Sequence, residues 1–273
     1  MDMQSKITGG ETTLLFTARI LNKYDVKYYR CNETGFIQTE EPYWLSEAYS
    51  SAITKLDVGL VYRNNFLSDQ LSKVLAQHFN AKGIFLDYAG GYGLFTRLMR
   101  DKGFNFYNTD KFCDNIFAEY FDLKDLPANT VFEVVTAFEV FEHLSNPIPE
   151  IEEMLRYGDS LLFSTELQPE NIQGVNDWSY FSTETGQHVS FYNDKALQYI
   201  AQKLGYHFYT DGKFIHLITK KSFANNPLIE QKEPFVIRKA RKLLRKHDKM
   251  QTGNLEGLMM HDWQSIKDKL KQN

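Results

Sequence analysis

The chain has 273 residues, 42% hydrophobic and 24% charged, with a formal net charge of −4. That balance describes a soluble globular chain with room for one large domain and appendages, and it excludes a global basic field for gripping nucleic acid. No apolar run is long enough to cross a bilayer, Met1 to Gly10 lacks an apolar leader core, and two cysteines do not make a disulfide framework, so a reducing cytoplasm is the expected setting.

Residues 1–65 read as an irregular or helical lid segment, with short β-like pieces at Lys27–Arg30 and Gly35–Thr39. Cys31 lacks the partner cysteine a zinc knuckle needs, since position 34 is Thr, and no zinc site is expected there. From about residue 44 to 80 the spacing is helical, with Leu67, Leu71, Val74, Leu75 and Phe79 on one face. Residues 66–222 make the main domain by alternation. Ile84–Leu86 is a strand, Leu94–Lys102 a helix ended by Gly103, and Phe104–Asn108 a second strand ending at Asp110. A short third strand is expected near Tyr120, and a fourth over Val131–Phe138. Pro149–Arg156 is helical, Ser160–Ser164 is a strand apolar on both faces, and Lys195–Leu204 is a helix stopped by Gly205. Tyr206–Tyr209 and Phe214–Thr219 form an antiparallel pair around Asp211-Gly212. Such alternation implies a mainly parallel sheet flanked by helices. Residues 223–273 read as a linker with Pro227 and Pro234, then a basic helical tail. Its segment 236–249 carries Arg238, Lys239, Arg241, Lys242, Arg245 and Lys246, read as a solvated face ahead of a membrane or nucleic-acid contact.

The segment Phe85-Leu-Asp-Tyr-Ala-Gly-Gly-Tyr-Gly93 carries the chemistry. An apolar strand stops at Asp87, and Ala89, Gly90, Gly91 and Gly93 follow, so backbone can approach a ligand with no Cβ in the way. Strand, glycine turn and helix make the ligand corner of an open α/β sheet. Asp110 lies about 20 residues on, where a carboxylate grips both ribose hydroxyls. Asp122 follows at the expected end of the third strand, placed to receive an adenine amino group. A dinucleotide fingerprint would need a third glycine, and Leu94, Phe95 and Thr96 stand there instead. Asp87 would also repel a pyrophosphate, yet suits a cationic amino-acid moiety.

Asp87-Tyr-Ala89-Gly-Gly91-Tyr-Gly93 resembles the first motif of class I S-adenosylmethionine (SAM)-dependent methyltransferases, with Ala89 in place of the first glycine. Phe132 to His143-Leu is similar to that family's fourth strand and following loop. Trp178-Ser-Tyr180 and Gly186 to Tyr192 are similar to a small-molecule subgroup, as are residues 27–63. The resemblance runs from about Leu75 to Lys220. It implies a Rossmann-like seven-stranded sheet ordered 3-2-1-4-5-7-6, strand seven antiparallel, and SAM as methyl donor. On that reading Asp87, Ala89, Gly90, Gly91, Gly93, Asp110, Asp122, Phe138 and Glu139 bind the donor, Arg63 pairs with its carboxylate, and Trp178, Tyr180 and Tyr192 line the acceptor pocket.

A hydroxyl acceptor must lose a proton to a base or a metal. Catalytic candidates are His143, His188 and Glu142. Glu139, Glu142 and His143 at i, i+3 and i+4 share a helical face, and with His188 they resemble the metal-binding set of small-RNA 2′-O-methyltransferases. Such a set accepts Mg²⁺, Mn²⁺, Fe²⁺ or Zn²⁺. The structural alternative has Glu142 capping the loop, His143 as a packed ring and His188 as a loop hydrogen bonder. The expected activity is methyl transfer to a small-molecule or sugar-containing acceptor, O-methylation ahead of N or C, with no membrane or nucleic-acid partner. The alternatives are an NAD(P)-linked oxidoreductase, disfavoured by the missing glycine, and a non-catalytic methyltransferase-like binding module.

Overall fold

The computed structural model describes residues 3–50, 54, 56–229 and 257–270. Its amino-terminal part departs from the irregular lead expected of it. Thr12–Ile20 (β1) pairs antiparallel with Tyr24–Cys31 (β2). Leu21 and Asn22 turn the chain with φ of 54° and 53°, the left-handed backbone that matches the twist of a two-stranded ribbon. No glycine marks that turn, and Leu14 points outward, so the alternation is blurred. Ile37–Thr39 (β3) adds to β2. The expected helix over 44–80 is in fact two: Leu45–Ala48 (α1) and Leu60–His78 (α2), the latter burying Leu67, Leu71 and Leu75.

The main domain follows as Ile84–Tyr88 (β4), Leu94–Asp101 (α3), Asn105–Thr109 (β5), Val134–Phe138 (β6), Pro147–Leu155 (α4), Ser160–Ser164 (β7), Ser190–Phe191 (β8), Asp194–Lys203 (α5), His207–Thr210 (β9) and Ile215–Thr219 (β10). A terminal helix, Met259–Leu270 (α6), ends the described chain. Six strands form the large sheet in the order β5-β4-β6-β7-β10-β9. Pairing is parallel from β5 to β7, and β10 runs antiparallel to both neighbours. The expected seven-stranded sheet is therefore corrected to six. Its third strand survives only as a parallel bridge between Asn108 and Asp122, because Asp122 immediately caps a tight turn at Leu123–Asp125. Parallel strands need cover on both faces. One face packs Phe85, Phe106 and Val134 against Leu67, Leu71, Phe95 and Met99 of α2 and α3. The other packs Leu86, Val135 and Phe163 against Ile151, Met154, Leu197 and Ile200 of α4 and α5.

The short β8 pairs with β3, so the amino-terminal hairpin becomes a four-stranded sheet, β1-β2-β3-β8. This join matters for the site, because β8 follows the loop carrying His188. The basic segment 236–249 lies outside the described residues. Among the described residues no helix is long and apolar enough to cross a membrane.

Candidate functional site

A cavity of about 860 Å³ opens over the carboxyl ends of β4, β5 and β6. That is the position where open α/β sheets bind ligands, and the volume falls within the usual range for small-molecule sites. Its first wall is the glycine turn. β4, an interior strand, delivers Asp87 near its carboxyl end, where it is 1% exposed. Thr136 Oγ1 donates to Asp87 Oδ1 at 2.8 Å and Thr96 Oγ1 to Oδ2 at 3.5 Å. Burial pushes the Asp87 carboxyl up to about 7, against the pull of the Thr136 hydroxyl and with a further push from the Asp110 charge. At Gly90 a Cβ would run into Asn108 Oδ1 and Asp87 Oδ2, so the turn closes only around a bare backbone. Gly93 has φ 80° and abuts Asn115 Oδ1. Ala89 stands at φ 53°, a left-handed conformation that costs a residue with a Cβ roughly 1–2 kcal/mol.

Asp110 closes this wall. Its carboxylate accepts from the backbone N–H of Gly91 at 2.9 Å, of Phe112 at 2.7 Å and of Cys113 at 2.8 Å. Phe112 stacks on Tyr49 with ring centroids 5.3 Å apart, and both rings reach the cavity. Asp122 does not line the cavity. It caps the turn at Leu123–Asp125 and accepts from Asn115 Nδ2 at 3.0 Å, so its carboxylate serves the loop.

The opposite wall begins where β6 ends. Phe138 faces the cavity, and Glu139 follows at φ 55°, a strained backbone of the sort that clusters at functional sites. Ser164 Oγ donates to Glu139 Oε1 at 2.8 Å, and Arg63 Nε stands 3.9 Å from Oε2. Arg63 lines the cavity, but its fork grips Asp57 through bonds of 2.8 and 3.1 Å. One tight helical turn, Phe141–His143, then brings Glu142 and His143 to the cavity. Two contacts tie that turn to β8: the Val189 N–H donates to Glu142 O at 2.8 Å, and Ser190 Oγ to Leu144 O at 2.6 Å. His188 is thereby carried beside His143, with rings 4.9 Å apart at 84°.

Each imidazole is oriented by a backbone acceptor. His143 Nδ1 lies 3.1 Å from Gln187 O, and His188 Nδ1 lies 2.6 Å from Tyr180 O. A carbonyl can only accept, so Nδ1 carries the hydrogen in both rings and Nε2 keeps its lone pair. Burial lowers the basicity of both, that of His188 to about 3 with help from neighbouring His143. Glu142 is fully buried, and neither carboxylate oxygen completes a hydrogen bond, although the Tyr180 and Thr165 hydroxyls stand near. Burial raises the Glu142 and Glu139 carboxyls above the usual carboxylate range, and Glu142 adds to the push on Glu139. One ligand atom each from Glu142, His143 and His188 lies within 4.8 Å of the others. A buried carboxylate and two anchored imidazoles form a donor set for a divalent ion.

Two residues expected at the acceptor prove to be core. Trp178 packs on Phe181 and Phe191 and donates through Nε1 to Glu166 Oε1 at 2.9 Å. Tyr192 is wholly buried, its hydroxyl donating to Phe141 O at 3.0 Å. Tyr180 does reach the cavity and packs on His188. The sequence reading passed over Tyr49, Phe112, Cys113 and Gln187 in the cavity wall. It also passed over Thr96 and Thr136, which hold Asp87; only Phe112 and Cys113, just beyond Asp110, carried a local signal.

A family model described as a methyltransferase domain matches residues 61–210. Among solved structures, the chain resembles 1,6-didemethyltoxoflavin-N1-methyltransferase from Burkholderia thailandensis, solved with its didemethyltoxoflavin and S-adenosylhomocysteine. The two are 11% identical over 72% of this chain and 96% of that one, with a TM-score of 0.47. It also resembles magnesium protoporphyrin IX methyltransferase from Synechocystis with bound S-adenosylhomocysteine, at 12% identity, 64% and 92% coverage and a TM-score of 0.43. An O-methyltransferase family 2 protein from Planctomyces limnophilus, solved with apigenin, is 14% identical, with a TM-score of 0.39. The match spans 65% of each chain, so this protein covers just under two thirds of that relative's length. No curated protein matches the sequence.

Proposed function

Because the chain belongs to the methyltransferase-domain family, we propose that it transfers a methyl group from SAM to a hydroxyl of a small-molecule or sugar-containing acceptor. The supporting observation is the single cavity that joins the glycine turn to Glu142, His143 and His188. SAM supplies a methyl group on a sulfonium, an electrophile that needs no activation by the protein. The bare backbone at Gly90 and the positive φ at Gly91 and Gly93 fit close approach of such a ligand, and the Asp110 carboxylate, with Asp87 wherever it is ionised, disfavours a phosphate. Asp87 is placed for the ammonium end of the donor, Asp110 for its ribose, and Phe112 with Tyr49 for its flat base. Positioning alone supplies a large part of the rate in such a transfer.

The hydroxyl must lose its proton. The His143 and His188 rings hold their lone pairs at Nε2 and stay neutral at physiological pH, but burial leaves His188, at about 3, a weak base, so His143 is the better acceptor for that proton. The unmet oxygens of Glu142 favour a second form of the same reading, in which Glu142, His143 and His188 hold a divalent cation. Such an ion lowers the pKa of a coordinated hydroxyl.

Incubating the protein with methyl-labelled SAM and fractionated small-molecule extracts is expected to place label on an alkali-stable ether. Label on nitrogen would overturn the hydroxyl assignment, and no label in any fraction would count against turnover. For the ion, Mn²⁺ titration followed by electron paramagnetic resonance is expected to show one bound site that Glu142→Gln removes. A spectrum of free Mn²⁺ throughout, with activity intact in chelator, would leave the imidazoles as bases.

A further inference from the structure

The described carboxyl-terminal residues are joined to the rest of the protein around one heavily satisfied carboxylate, with flanking backbone bonds on either side. Asp262, on α6, is 1% exposed. It receives Arg100 through both ends of the guanidinium, Nη2 to Oδ1 at 2.7 Å and Nε to Oδ2 at 2.8 Å, and Arg97 Nη1 at 2.9 Å. Arg100 is equally buried. Its remaining donors go to Asn105 Oδ1 at 2.7 Å and Phe106 O at 2.8 Å, and its plane lies 3.6 Å from the centre of the Phe121 ring. Farther along α6, Lys269 Nζ donates to Tyr120 O at 3.3 Å. The Leu258 N–H donates to Arg100 O at 2.9 Å.

Tyr120 and Phe121 end the loop that starts at Asp110. That loop carries Phe112 and Cys113 into the cavity and rejoins β5 where the Asn108 N–H donates to Phe121 O at 2.8 Å. A residue in α6 thus grips the arginine that stacks under one end of the loop whose other end is Asp110. Tyr120 sits at φ 68°, a conformation that surrounding contacts must impose. Inside the loop the Phe121 N–H closes a turn on Ala118 O at 3.1 Å and Asn115 ties Ala118 to Asp122; Lys269 and Arg100 add support from outside.

We propose that Asp262 is a positioning residue for the donor site: through Arg100 and Phe121, α6 braces the Asp110–Asp122 loop in its ligand-ready form. This rests on the reading of Asp110 and Phe112 as the nucleoside wall. Removing Asp262 strands Arg100 as a buried, unpaired charge, and the loop it supports loses its base. A ligand that needs the ordered loop then binds with an affinity reduced by the fraction of molecules that keep it.

The test is calorimetric binding of S-adenosylhomocysteine to the full chain, with KM for SAM and for the acceptor measured beside it. Asp262→Asn is expected to weaken S-adenosylhomocysteine about tenfold and to raise KM for SAM with little change in kcat or acceptor KM. Asp262→Glu recovers part of the loss. Lys269→Met buries no charge and so folds in any case; it gives a smaller weakening of the same kind. Leu197→Ala, in α5 on the opposite face of the sheet, serves as control: it lowers the melting temperature yet leaves donor affinity unchanged. Wild-type affinity in both Asp262→Asn and Lys269→Met would overturn the proposal and leave α6 as packing only. Failure of the unmodified protein to bind S-adenosylhomocysteine is a different result, and it removes the donor reading itself.

Discussion

The two walls of the cavity are built on opposite principles. On the glycine-turn wall both carboxylates are already answered. Asp110 takes three backbone N–H groups and Asp87 two threonine hydroxyls, so these carboxylates are oriented before any ligand arrives. On the other wall Glu142 is buried with both oxygens unmet, Glu139 is held at positive φ, and two imidazoles keep their Nε2 lone pairs. A buried polar group without a partner costs about 1–3 kcal/mol, more when charged. On the proposed function, the first wall holds the donor and the second takes the acceptor's proton.

The largest effect expected from this contrast falls on the reactive wall. His143→Ala should lower turnover by about 10²–10⁴-fold, the usual worth of a placed acid–base group, while S-adenosylhomocysteine affinity stays unchanged by calorimetry. Loss of both together would break the division between the walls. Next in size, Asp110→Ala frees three N–H groups and should weaken S-adenosylhomocysteine by about 10–100-fold, on the basis of roughly 1.5–3 kcal/mol per bond to a charged group, partly recovered from water. A control at Trp178, as Trp178→Phe, should leave acceptor KM unaltered because that ring lies in the core.

A smaller effect reads the charge on Asp87. Its folded carboxyl titrates at about 7, raised by burial from the ordinary range. In the ligand-free protein the stability tied to this raised value is present at acid pH and is lost as pH rises through about 7. A cationic donor binds the ionised form, so S-adenosylmethionine affinity should climb across that same interval, and Asp87→Asn should flatten the climb. Smallest of all, Ala89→Gly relieves the left-handed strain of roughly 1–2 kcal/mol and adds glycine's chain entropy of roughly 0.5–1 kcal/mol. A net gain of about 0.5 kcal/mol in chemical denaturation is expected, with donor binding intact.

The same contrast explains what could be read in advance. The glycine-turn wall is local in the chain: strand, small residues and helix follow one another, so Asp87, Gly90, Gly93 and Asp110 announce themselves by spacing. The reactive wall is assembled from α2, the Phe141–His143 turn and the loop before β8. The residue types of Glu142, His143 and His188 stood out, but their convergence depends on β8 pairing with β3. That pairing depends in turn on a hairpin whose turn, Leu21-Asn22, carries no glycine signal. Trp178 and Tyr192 misled for the related reason that an aromatic near an acceptor loop packs inward or outward according to contacts made far along the chain. Asp122 was drawn away by its own capping turn, a local contact that the strand-end rule did not weigh.

On the proposed function, this cavity receives a sulfonium nucleoside on its glycine-turn wall. Titration of the purified protein with S-adenosylhomocysteine tests it most directly. A single site of near-micromolar affinity that raises the melting temperature is expected. No heat and no thermal shift even at millimolar ligand would contradict it.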